Sequence, residues 1–292
     1  MRLALYARDS RSAVRNIIHK IRQLLPSAAY SIHQSAHDAA PDLESFTTSS
    51  DLIEWEPDLL LSIGGDGTLL DTVQLLVQHP VPVMGINLGK LGFLAAVSPD
   101  ELSQMADAIA HRKYLIHHRM MLRVMNGIPH LDPPLALNDV VVKDARPNAL
   151  IAVKITVDND TLGIYHGDGV IVSTPTGSTA YSLSCGGSIL YPQMSVIQIT
   201  PIAAHNLTLR PVILPSSVDI RVEVISRSGQ YTLNLDNRQT TLPSGHPIRI
   251  RPSQKMFPLA VPASWNYLAT LREKLHWASE LRGFDALPSV TL

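Results

Sequence analysis

The pentapeptide Gly64-Gly65-Asp66-Gly67-Thr68 sets one carboxylate among glycines, directly after the apolar run Leu59-Leu60-Leu61-Ser62-Ile63. Glycine has no Cβ, so such a turn can take unusual backbone angles and approach a ligand closely. Open α/β sheets bind ligands at turns of this kind, at the carboxyl ends of parallel strands. If Thr68 opens a helix, the backbone N–H groups there favour an anion such as phosphate. Gly64, Gly65, Gly67 and Thr68 are then candidates for phosphate binding. Asp66 becomes an acidic group beside phosphates, an arrangement useful for phosphoryl transfer. A glycine-rich strand–helix turn with a solvated aspartate has the same five letters, and these residues alone do not choose between the two.

Three further stretches carry polar groups in an apolar setting. Asn138-Asp139 precedes the β-branched run Val140-Val141-Val142. An amide donates and accepts, which suits an adenine edge; an ionised carboxylate only accepts, which suits ribose hydroxyls. An Asx turn opening a strand is the competing explanation. From His166 to Gly187 runs the densest concentration of small and hydroxyl residues in the chain. Backbone lying close to a flat polar ligand would need it, with Tyr181 stacked on a ring, and so would a close crossing of two backbones. His205 and Arg210 are cations in the apolar run from Pro201 to Pro215. They could meet phosphates, although a structural role fits them better.

Several chemistries are excluded. Gly85…Gly89-Lys90-Leu91 lacks the spacing and hydroxyl of a P-loop, and neither Gly65-Asp66-Gly67 nor Gly167-Asp168-Gly169 continues into a dinucleotide fingerprint. Ser178, Ser182 and Ser184 lack the flanking glycines of a nucleophile elbow. The 12 histidines contain no His-Glu-x-x-His, and the adjacent His117-His118 read as surface residues. Cys185 is the single cysteine, so neither a disulfide framework nor a thiolate-rich metal site can form within the chain. A net charge of −1 argues against a strongly basic nucleic-acid binder. The first residues are too short an apolar run for a signal peptide, and no segment approaches the roughly 20 apolar residues of a membrane span. A cytoplasmic protein is the expectation.

The elements that must position these groups fall into two textures. Strands are expected at Leu3–Ala7, Ala28–His33, Leu59–Ile63 and Val83–Asn87. They alternate with helices at Ser12–Leu25, from the glycine turn to Val77, and at Asp100–Ala110 behind a Ser98-Pro99 start. Residues Ser35–Ser50 read as a loop or a poorly fixed helix. Alternation of strand and helix implies a parallel sheet. From about residue 118 the segments become short and alternating: Met120–Val124, Ile151–Val157, Val218–Ile225, Tyr231–Leu235 and Ile248–Ile250. The expected fold is therefore α/β plus all-β. A parallel-sheet domain over residues 1–117 is followed by a β-rich, sandwich-like domain over 118–264. A helix from Trp265 to Leu281 then packs back on the first domain.

Taken together, the motifs resemble the NAD kinase family from Gly64 to about Trp277. The most specific part is Asp168-Gly169 with Thr174-Pro175-Thr176-Gly177-Ser178-Thr179-Ala180-Tyr181-Ser182-Leu183-Ser184. Asn87–Leu94, Asn138-Asp139, Arg210-Pro211 and Leu271–Trp277 fit the same pattern. Gly-Gly-Asp-Gly-Thr by itself is shared with diacylglycerol- and sphingosine-type lipid kinases. The resemblance implies phosphorylation of the adenosine ribose 2′-hydroxyl of NAD by ATP, giving NADP. It also implies a divalent metal cation such as Mg, a Rossmann-like first domain and a homodimer or homotetramer, with neither nucleic acid nor membrane as partner. Carried onto this sequence, it makes Asp66 the general base. Asp66, Gly67, Asn138, Asp139, His166, Asp168, Thr179, Ala180, Tyr181, Ser182, Leu183 and Ser184 become NAD contacts. The family usually has Arg where this chain has His166, which turns a fixed charge into one that depends on pH. It often has Gln, in an Asp-Gly-Gln-like turn, near Asp236-Asn237-Arg238. A lipid kinase with the same glycine turn, or a non-catalytic NAD(P) sensor, are the alternatives.

Overall fold

A computed structural model describes residues 1–76, 80–89, 92–125, 128, 130–146 and 149–277. The N-terminal strands are β1 (Arg2–Tyr6), β2 (Ala29–His33), β3 (Glu44–Phe46), β4 (Leu59–Gly64) and β5 (Val83–Asn87). They pair in parallel in the order β3-β2-β1-β4-β5. Buried on both faces, β4 and β5 have the continuous apolar character of central parallel strands. The chain order reverses between β1 and β4, the switch point at which such sheets open a crevice. Helix α1 (Ser12–Leu24) buries Val14, Ile17, Ile18 and Ile21 at helical spacing. With Leu102–Ala110 it covers one face of the sheet, and α3 (Asp66–Leu75) covers the other.

Two more strands complete this sheet. Phe257–Pro262 pairs in parallel with β5, and Tyr114–Arg119 lies antiparallel at the edge. The expected boundary between residues 117 and 118 thus falls inside a strand. Phe257–Pro262, expected in the β-rich domain, belongs to the first sheet. A short apolar segment whose Leu259, Ala260 and Val261 are all buried carries no local mark of which sheet it joins. His117 and His118 sit on that edge strand. His118 is exposed, but His117 is half-buried and packs edge-on against Trp265, with ring centroids 5.5 Å apart.

The stretch Ser35–Ser50 is more ordered than expected. It holds a 3₁₀ turn (Gln34–Ala39), the edge strand β3 and the start of helix α2 (Ser49–Trp55). Thr48 and Asp51 form a reciprocal capping box, which fixes that helix without a long apolar stripe.

Between these strands the chain builds two six-stranded antiparallel sheets. One runs Asp160–Gly167, Ile151–Val157, Ile220–Ser226, Ile248–Pro252, Leu122–Val124, Leu135–Ala136. The other runs Val212–Pro215, Val196–Ile202, Gly169–Ser173, Asp139–Asp144, Gln230–Leu235, Arg238–Pro243. Alternate residues such as Val140, Val142, Val170 and Val172 fill the core between them. The opposite register, Asp139, Val141 and Lys143, therefore faces outward. The helix Tyr267–Leu275 follows, with the Tyr267 hydroxyl donating to the Leu190 carbonyl at 3.3 Å and Lys274 Nζ 5.9 Å from the Phe93 ring centroid. The expected positions Val77, Lys90, Leu91 and 278–281 lie outside the described residues.

Candidate active site

The glycine turn sits at the switch point of the parallel sheet. Gly65 caps α3 and the helix begins at Asp66. An added Cβ on Gly64 would lie 2.2 Å from the Thr68 hydroxyl oxygen, so Gly64 lets Thr68 pack back on the strand. Gly65 has open space around its Cβ position, room in which a ligand could sit. The Gly67 carbonyl accepts from Arg8 Nη2 at 2.9 Å, and Arg8 also holds Asp71 on α3.

Asp66 is not loosely solvated. Its carboxylate accepts from the backbone N–H groups of Phe93 (2.9 Å), Leu94 (3.0 Å) and Ala95 (2.9 Å). A Cβ on Gly92 would lie 1.9 Å from Asp66 Oδ1, so this approach requires glycine at 92. A carboxylate offers about four lone-pair sites; with these donors in place, one stays open. The sequence linked these segments only as parts of one family pattern.

Asn138 and Asp139 sit where the second domain meets α3. The responsible residue is Asp236, in a left-handed turn with φ 54°. Its carboxylate accepts from the N–H groups of Leu137 (2.8 Å), Asn138 (2.7 Å) and Asp139 (3.1 Å), while its own N–H donates to the Asp139 carbonyl at 3.1 Å. Sequence reasoning noted this turn but not its role; an aspartate able to take positive φ was the available signal. Asp139 is 5% exposed. Burial, reinforced by the nearby Asp236 carboxyl, pushes its pKa up to about 8. Burial likewise raises the Asp236 carboxyl, opposed by the three N–H donors.

Asn138, Asp139, Ala180 and Tyr181 line one crevice of about 290 Å³ together with Leu70 of α3 and the turn residues Asp236 and Asn237. Asn237 reaches across to α3, its Nδ2 donating to Asp71 Oδ1 at 2.5 Å. Asp168 lines an adjoining crevice of about 400 Å³ with Lys143, Arg146 and Asn234. His166 is elsewhere. It is exposed in a separate depression with His205 and Arg227, and its carbonyl accepts from the His205 N–H at 2.8 Å.

The hydroxyl-rich run is divided between two duties. Thr174, Ser178 and Ser182 are fully buried. Thr174 Oγ1 donates to the Leu137 carbonyl, Ser178 Oγ accepts from the Leu190 N–H, and Ser182 Oγ is engaged by Thr200 and Gln198. A Cβ on Gly177 would come within 2.0 Å of the Asn138 carbonyl oxygen. Close backbone crossing thus explains much of the run, and the Ser182 hydroxyl is not presented to the crevice. Thr179, Ala180 and Leu183 are half-buried and Ser184 is exposed, while the Tyr181 ring is 38% exposed. Among the described residues, no group of three or more His, Cys, Asp or Glu side chains is placed to hold a metal ion.

Known proteins match this arrangement along most of the chain. The ATP-NAD kinase N-terminal domain profile matches residues 5–114 and the ATP-NAD kinase C-terminal domain profile residues 137–261. An NAD kinase of Cytophaga hutchinsonii is 36% identical over 239 residues, 82% of this chain and 81% of that protein. One of Sulfurimonas denitrificans is 39% identical over 225 residues, covering 76% and 78%. In fold the chain is similar to yeast NADH kinase complexed with NADH, with TM-score 0.81 and 24% identity over 100% of this chain and 90% of that one. It is also similar to an NAD kinase from Archaeoglobus fulgidus in complex with ATP, with TM-score 0.75 and 24% identity over 94% and 99%. With both domain profiles matched in order and identity sustained across four-fifths of the chain, this protein belongs to the NAD kinase family.

Proposed function

We propose that this protein transfers the γ-phosphoryl group of ATP to the 2′-hydroxyl of the adenosine ribose of NAD, giving NADP. The observation that carries the reading is the shared crevice. The helix that starts at Asp66 contributes Leu70 to the same wall as Asn138 and Asp139. A phosphate-suited helix start and a nucleoside-suited pair thereby meet at one place.

In this reading Asn138 takes the adenine edge and Asp139 the ribose hydroxyls, with Tyr181 against a ring. The amides at the start of α3 and the open space at Gly65 receive phosphate oxygens. The ribose 2′-oxygen attacks the γ-phosphorus, the bond to the bridging β–γ oxygen breaks, and ADP departs. The hydroxyl proton passes to the remaining lone pair of Asp66 and then to solvent. Such transfers depend chiefly on positioning and charge neutralisation, and the three backbone donors hold Asp66 still for that purpose. A divalent cation belongs to the reading, but the described residues do not form a dedicated ligand set for it. Asp66 keeps a single lone pair beside its three amide donors, and Asp71 is engaged by Arg8 and Asn237.

The reading includes a cytoplasmic location and a homodimer or homotetramer. Ile164 (54% exposed) and Ile225 (68% exposed), on an outer sheet face near His166, support self-association. Sedimentation analysis gives the assembly size.

The test is incubation of the purified protein with ATP, magnesium and NAD, with NADP followed by an NADP-specific dehydrogenase, and diacylglycerol micelles in a parallel reaction. NADP formation is expected. Lipid phosphorylation without NADP would favour the lipid kinase, and NAD binding without turnover would favour a sensor.

A further inference from the structure

The two crevices beside the second sheet share part of their walls. Among the described residues, Lys143 and Asn234 line both of them. Lys143 is, among the described residues, the one lysine or arginine on the wall of the crevice that holds Asn138 and Asp139. It points outward from the strand Asp139–Asp144, in the same register as Asp139 and Val141, with its Nζ 5.7 Å from the centroid of the Tyr181 ring. Asn234 stands across from Val141 on the neighbouring strand, and its Oδ1 is buried without a hydrogen-bond partner. A buried polar atom without a partner is rare in a folded protein, and one on a ligand-sized wall is a natural acceptor for a ligand donor.

A dinucleotide is two nucleosides joined by a doubly charged pyrophosphate. If its adenosine occupies the crevice of Asn138 and Asp139 and the chain continues toward Asp168, the pyrophosphate passes the shared wall. There it meets an ammonium group, and a ribose hydroxyl comes within reach of an unsatisfied amide oxygen. We infer that Lys143, steadied against Tyr181, is the counter-charge for the pyrophosphate of the acceptor dinucleotide, with Asn234 accepting from an adjoining ribose hydroxyl. The inference rests on the NAD reading above and adds a charged contact that neither the glycine turn nor the hydroxyl-rich run supplies.

Lys143→Met keeps the methylene stem over Tyr181 and removes the charge; Lys143→Arg keeps the charge. NAD binding is measured by titration calorimetry on the full-length protein at low and high salt. We expect Lys143→Met to bind NAD about tenfold more weakly at low salt, the scale of one charge-assisted contact. Its affinity becomes less sensitive to salt than that of the wild type, while Lys143→Arg stays close to the wild type. Unchanged affinity and salt response in Lys143→Met overturns the inference. So does an equal loss in both variants with the wild-type salt response, which marks a packing role. If the wild type itself does not bind NAD, the acceptor reading falls and Lys143 with it.

Discussion

At the scale of single residues, the two carboxylates of the candidate site are held in opposite ways. Asp66 is surrounded by hydrogen-bond donors, whereas Asp139 is buried beside the Asp236 carboxyl. Asp66→Asn leaves one oxygen for three amide donors, so at least one of Phe93, Leu94 and Ala95 loses its acceptor. An unsatisfied donor costs up to about 1–3 kcal/mol. The variant should therefore lose some thermal stability, as well as the 10²–10⁴-fold typical of a missing general base. Coupled NADP assay and a melting curve measure both; a folded variant with near-normal turnover would remove Asp66 from the chemistry. Asp139 has a pH signature. A carboxyl at about 8 when folded and about 4 when unfolded binds its proton more tightly in the native state. Stability is then fully present below about pH 4 and declines as pH rises toward 8. Asp139→Asn should flatten that decline between pH 5 and 8.5 in melting curves, whereas an unchanged slope would show that another group sets it.

At the scale of elements, the segment Thr174–Ser184 is shaped as much by packing as by its hydroxyls. Gly177 lies on the Asn138 backbone, and Ser178 and Ser182 tie the run to Leu190 and Thr200. Gly177→Ala would place its Cβ 2.0 Å from the Asn138 carbonyl oxygen and so push that carbonyl away, at an overpacking cost of about 1–3 kcal/mol. A lower melting temperature together with weaker NAD binding is the expected pair; wild-type NAD binding would mean that Asn138 can shift freely. Element identity was largely legible. The helical spacing of Val14, Ile17, Ile18 and Ile21, the Ser98-Pro99 start and the alternation in Ile151–Val157 each gave an element where one exists. The edge strand β3 was missed because three residues are too few to show a period. Helix α2 was missed because its capping pair, Thr48 and Asp51, sits in a polar run that otherwise reads as loop.

At the scale of the whole molecule, one turn joins the two halves of the site. Asp236 holds the backbone of Asn138 and Asp139, and its neighbour Asn237 reaches Asp71 on α3. Asp71 is further held by Arg8, and burial beside it raises the Tyr6 hydroxyl above its ordinary value. The apolar contact behind this polar link is shared: Met121, Leu135 and Leu137 pack in one cluster with Leu69, Leu94 and Phe257. Asn237→Ala removes one hydrogen bond of about 0.5–1.5 kcal/mol and leaves that cluster intact. It should raise the Michaelis constant for NAD with only a small change in melting temperature. A variant that loses stability in full measure but keeps its kinetics would make the link purely structural.

The sequence by itself determined which residues are unusual. Asp66 among glycines, Asn138-Asp139 before a buried strand and the hydroxyl run around Tyr181 are all visible as residue types at fixed spacing, and they sufficed for the family and its two-part fold. Tertiary structure decided what each one faces. The amides of Phe93–Ala95 that occupy Asp66, the Asp236 carboxylate that fixes Asn138, and the strand Phe257–Pro262 returning to the first sheet join positions 27 to 176 residues apart. His166 lies two residues from Asp168 in the sequence, but along its strand it lines a different depression, with His205 and Arg227. Local pattern records how one segment folds; long-range pairing depends on which apolar faces and orphan N–H groups find each other when the whole chain packs.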